Sequence, residues 1–65
     1  MMITVNGESR KITAETTLSD LLAQLGYVKG FAVALNGEFV PRTDYPETGI
    51  RTGDAVEILT PMQGG

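Results

Sequence analysis

A chain of 65 residues has room for one domain with a small core, and at this size only about 60% of the unfolded surface is buried on folding. With no Cys and no His, it lacks a thiolate nucleophile, an imidazole base and the usual zinc ligands, and it is not a disulfide-stapled secreted mini-protein. The net charge is −3, and the five cations (Arg10, Lys11, Lys29, Arg42, Arg51) are scattered rather than clustered, so a basic protein surface is a better partner than nucleic acid.

The chain starts on a short apolar, β-branched run, Met2 to Val5, followed by Asn6-Gly7. Asn-Gly between apolar segments predicts a two-residue hairpin turn, because both central residues need positive φ. The partner strand is expected over Ser9 to Thr13. The polarity after Val5 is too early for a signal peptide or a membrane span, so the expected location is the cytoplasm, with no membrane partner.

A helix follows. Leu18, Leu21, Leu22 and Leu25 recur at i, i+3, i+4 and i+7, which places them on one apolar face. Thr17 is the predicted N-cap, with Asp20 three residues on to complete a capping box, and Gly26 stands where a left-handed C-cap belongs.

Phe31 to Leu35 reads as a strand, Asn36-Gly37 as a second tight turn, and Phe39-Val40 as a short strand stopped by Pro41, which has no amide to donate. Thr43 to Thr52 has little periodicity and is expected to be a loop with at most one helical turn. Gly53-Asp54 turns the chain into a final strand, Ala55 to Thr60. Side-chain alternation in that strand sends Val56 and Ile58 to the core and Leu59 to the outer face.

Two hairpins, a helix between them and a terminal strand make an α+β domain. It is expected to be a β-grasp fold in which a mixed sheet of four to five strands carries one helix across one face and the first and last strands lie parallel at the centre. The domain is expected over residues 1–61, with a flexible tail over 62–65. After Pro61 the sequence closes Met62-Gln63-Gly64-Gly65. Glycine averages about 7% of residues, so a chance terminal Gly-Gly occurs in roughly one chain in 200. A frayed terminus is the ordinary fate of such residues. Two residues without a Cβ can also thread a narrow channel and bring a terminal carboxylate close to an ATP phosphate. Adenylation supplies the leaving group that a carboxylate lacks, and a sulfur nucleophile can then turn the acyl-adenylate into a thiocarboxylate. None of these steps needs a side-chain catalyst in the carrier.

Val5-Asn6-Gly7, Thr17-Leu18 with Leu21-Leu22, the stretch from Val33 to Arg42, Gly53-Asp54 before Val56-Glu57-Ile58, and Gly64-Gly65 together resemble the sulfur carrier family of thiamine biosynthesis, ThiS, along nearly the whole chain. The resemblance implies a ubiquitin-like β-grasp fold and a protein cosubstrate rather than an enzyme. It also implies that an E1-like (ThiF-type) adenylyltransferase activates the Gly65 carboxylate with ATP, and that a persulfide donor supplies sulfur. A ThiG-type thiazole synthase then consumes the thiocarboxylate. On this analogy Gly65 is the modified residue, Gly64 and Gln63 belong to the tail, and Leu59 and Met62 contact the partner. No cofactor resides in the carrier, since ATP and sulfur come through partner enzymes. The approach Thr60-Pro61-Met62-Gln63 departs from the hydrophobic residue that many family members carry before the glycines, and is similar to the small subunit of molybdopterin synthase, a sibling carrier.

Three alternatives stand beside the thiazole carrier: the molybdopterin carrier, a β-grasp interaction module with an incidental Gly-Gly, and a modifier conjugated to lysines through Gly65. The eight carboxylates are read as solvated surface groups, Tyr45 as a ring covering the core edge, and Arg42 and Lys29 as exposed charges of the kind that usually contribute little.

Overall fold

The computed structural model describes residues 1–60, so the expected domain boundary at 61 and the expected tail over 62–65 lie outside the described residues. The elements run β1 (Met2–Val5), β2 (Glu8–Lys11), α1 (Leu18–Leu25), β3 (Ala32–Leu35), β4 (Glu38–Val40), a 3-10 helix (Arg42–Glu47) and β5 (Ala55–Leu59). They form one five-stranded sheet in the order β2-β1-β5-β3-β4, with β1 and β5 parallel at its centre and the other pairs antiparallel. This is the expected β-grasp arrangement.

Both Asn-Gly turns form as the sequence predicts. Asn6 and Gly7 have φ 51° and 86°, and Asn36 and Gly37 have φ 53° and 85°. A two-residue turn fixes register, so Val5 pairs with Glu8 and Leu35 with Glu38. That is why β2 begins at Glu8 rather than Ser9. Its ladder ends at Lys11 rather than Thr13.

The asparagines have a second task that their turn role does not reveal. Beyond Val5–Val56, the next bond of the parallel ladder would run from the Ile58 amide to the Asn6 carbonyl. The chain turns away at Asn6, and its side-chain Oδ1 accepts that bond instead, at 2.8 Å. On the other side of β5, Asn36 Oδ1 accepts from the Ala55 amide at 2.9 Å, and Asn36 Nδ2 donates to Asp54 Oδ1. Each turn therefore also staples the central strand.

Helix α1 is punctuated as predicted. The Asp20 amide donates to Thr17 Oγ1, the Thr17 amide donates to the Asp20 carboxylate, and Gly26 closes the helix in the left-handed region. Leu18, Leu21 and Leu22 are buried against Ile3, Val33, Val56 and Ile58 of the sheet, with Ile12, Val40, Tyr45 and Ile50 completing the core. Leu25 is only partly buried, at the edge of that core.

The segment expected to be mostly loop is more ordered than its sequence indicates, since the six-residue 3-10 helix starts one residue before it and takes its first five residues. Tyr45 projects from this helix into the core, as expected. The Leu18 amide donates to the Thr48 carbonyl and the Ile50 amide to the Thr16 carbonyl, tying the segment to the start of α1. Strand β5 ends at Leu59, one residue before the expected limit.

Candidate functional site

The sheet has one face against the helix and one face open. On β5, Val56 and Ile58 point to the core and Ala55, Glu57 and Leu59 point outward, as alternation requires. Leu59 is 64% exposed at the last position of β5, which makes it the described strand residue nearest the Gly-Gly end of the sequence. Register then fills in its neighbours. Leu59 lies opposite Ala32, Glu57 opposite Ala34, and Ala34 opposite Phe39, which is 70% exposed. Two large apolar side chains thus flank β3, whose outward residues are both alanines. Single methyl groups between Phe39 and Leu59 leave a shallow apolar saddle, with the Glu57 carboxylate on it.

Phe39 and Leu59, with the two alanines between them, make an exposed apolar patch on the open face of the sheet. Among the described residues, no group of three or more His, Cys, Asp or Glu side chains is placed to hold a metal ion, and every buried side-chain polar atom has a hydrogen-bond partner. No helix among them is long and apolar enough to cross a membrane.

The ThiS family model matches residues 3–65. The chain belongs to the ThiS family. It is 40% identical over 65 residues to the sulfur carrier protein ThiS of Thermus thermophilus, a match covering 98% of this chain and all of that one. It is also 36% identical over 66 residues to a thiazole synthase of Paramagnetospirillum magneticum, where it spans 20% of that protein's length. Among solved structures, the crystal structure of the thiamine biosynthesis protein ThiS from Geobacter metallireducens superposes with a TM-score of 0.86 at 35% identity, each chain fully covered. A solution structure of a thiamine biosynthesis protein from the same organism gives 0.83, covering all of this chain and 88% of that one.

For this ThiS-family chain, Leu59 stands on the open face at the end of β5, where alternation places it. Met62, Gln63, Gly64 and Gly65 lie outside the described residues. Phe39, Ala32 and Ala34 did not emerge from the sequence as members of the same surface. The signal for them was present: the Asn36-Gly37 turn pins Ala34 against Phe39, and the core position of Val33 and Val40 sends that pair to the opposite face.

Proposed function

We propose that this chain is the sulfur carrier for thiazole formation in thiamine biosynthesis, with the Gly65 carboxylate as its working group. The observation that carries this is the end-to-end match, at 40% identity, to a sulfur carrier protein of the same length class. The sequence agrees, because without Cys or His the chain has neither thiolate nor imidazole for catalysis. It acts as a protein cosubstrate.

In the proposed cycle an E1-like adenylyltransferase binds ATP and the saddle around Leu59. The Gly65 carboxylate attacks the α-phosphorus, and pyrophosphate leaves. The terminal sulfur of a persulfide donor then attacks the activated carbonyl and AMP leaves, and a second thiol of the donor system cleaves the S–S bond of the resulting acyl persulfide, closing a disulfide and releasing the end as a thiocarboxylate. Its soft, nucleophilic sulfur is passed to a thiazole synthase. That a thiazole synthase contains a segment 36% identical to this chain supports this partner, since the two functions then share one polypeptide. Residues 62–65 act as the tail, with Met62 and Leu59 gripped by the partner and Gln63-Gly64 threading the channel. The domain proper is 1–61.

Reconstitution tests the assignment. The chain is combined with a ThiF-type enzyme, ATP, a labelled persulfide donor and a ThiG-type synthase, and label is followed into thiazole. Carrier-dependent label in thiazole supports the proposal. Label that instead reaches molybdopterin, with a molybdopterin synthase large subunit in place of the thiazole enzyme, would move the chain to the sibling pathway.

A further inference from the structure

Lys29 and Arg42 take no part in the outer face or in the proposed cycle, yet the fold brings them to one place. A cleft of about 670 Å³ opens on the helix side of the sheet, between the C-terminal half of α1, residues 26–31 and the 3-10 helix. Its floor is aromatic. Phe31 stacks on Tyr45 with centroids 6.0 Å apart and planes 13° from parallel, and Tyr27 meets Phe31 edge-on at 5.4 Å. Leu22 and Pro46 extend the apolar lining, and Val28 is 85% exposed at its edge. Lys29 and Arg42 are the charged groups that line the cleft among the described residues. Asp20, Asp44 and Glu47 sit on the same helices but outside the lining. A chain of net charge −3 thus has a concave, locally cationic, aromatic surface.

We propose that this cleft docks an acidic peptide segment of a partner protein, seating an aromatic side chain on the Tyr27–Phe31–Tyr45 rings and pairing flanking carboxylates with Lys29 and Arg42. Two observations favour a peptide over a small metabolite. A metabolite site fixes its ligand with several convergent polar groups, whereas no buried side-chain polar atom among the described residues lacks a partner. The pattern is instead an apolar centre with charge at the rim, the anatomy of a protein-interface anchor pocket. The rings already pack on one another, and Tyr45 is buried in the core, so little ordering cost remains for binding. The cleft lies across the sheet from Leu59 and Phe39, so a partner held here leaves the saddle free for another. This proposal is independent of the carrier role.

The test is a titration of the ¹⁵N-labelled full chain with a blocked Asp-Glu-Phe-Glu-Asp peptide, followed by amide shifts. Shifts confined to residues 19–31 and 42–46 are expected, weakening with added salt. Replacing the acids by Asn and Gln, or the protein cations by Lys29→Glu with Arg42→Glu, should each weaken binding by up to about tenfold, as two exposed charge pairs predict. The doubly reversed protein should instead bind a Lys-Arg-Phe-Arg-Lys peptide, which also shows that its cleft is intact. Leu59→Glu should leave the titration unchanged. The proposal is overturned if the acidic peptide causes no shifts, if the neutral peptide binds equally, or if the shifts map to Phe39 and Leu59. Phenylacetate alone matching the peptide would overturn it in favour of a small-anion pocket.

Discussion

Replacing Asn6 by Ala should destabilise the fold severely, because Asn6 combines a left-handed backbone with a bond to the central strand. The Ile58 amide donates to Asn6 Oδ1 at 2.8 Å in a partly buried setting. Removing that acceptor leaves a donor unpaired, at about 1–3 kcal/mol. Placing Ala at φ 51° adds up to about 1–2 kcal/mol, because the short polar side chain that lets Asn occupy the left-handed region is lost. The sum, up to roughly 5 kcal/mol, compares with a total of roughly 3–10 kcal/mol for a chain of this length. Three variants separate the contributions. Asn6→Asp keeps both the acceptor and the tolerance for positive φ, and should melt near the parent. Asn6→Gly keeps only the backbone freedom and should melt lower, at about 4–8 °C for each kcal/mol lost. Asn6→Ala should melt lowest. Thermal unfolding by circular dichroism gives the order, and hydrogen exchange at the Ile58 amide locates the cause. Should Asn6→Gly melt with the parent, or Asn6→Asp melt as low as Ala, the side-chain staple contributes nothing and the reasoning fails.

Thr17→Ala removes one arm of the capping box and should cost about 1 kcal/mol, read as a lower melting temperature with the native fold retained. Leu21→Ala opens a cavity at a fully buried core position and should cost about 2–5 kcal/mol, leaving a large unfolded fraction in urea titration at concentrations the parent withstands. Leu59→Glu and Phe39→Ala alter exposed side chains and should change stability by no more than about 0.5 kcal/mol. If the saddle is the partner surface, each should lower kcat/KM for ATP-dependent activation by roughly tenfold, as loss of an interface anchor does. An unchanged kcat/KM would remove the saddle from the interface.

Much of this architecture was legible in the sequence because local and global signals agree. Two Asn-Gly turns, a helix with both caps spelled out, and alternation in the last strand suffice to order the elements and to put Val56 and Ile58 inward and Leu59 outward. What local rules miss is what distant residues impose. Tyr45 is held in the core and Thr48 and Ile50 bond to the helix start, so a stretch that looks like loop winds into a 3-10 helix. Nothing within two residues of Asn6 or Asn36 shows that their amides also clamp β5, because the bonded partners lie 52 and 19 positions away. The saddle is likewise a product of register across three strands, although Leu59, its member nearest the chain's end, is found by alternation alone. Lys29 and Arg42 look like isolated surface charges 13 positions apart in sequence, and only folding lines them on one aromatic cleft.

The most direct test of the carrier role is the intact mass of the chain after incubation with ATP, a persulfide donor and a competent E1-like enzyme, beside a chain lacking Gly65. A carrier gains the mass of one oxygen exchanged for sulfur, and the truncated chain gains nothing. An unchanged mass, with the same enzyme active on another carrier, contradicts the assignment of Gly65 as the working group and leaves a β-grasp docking module in its place.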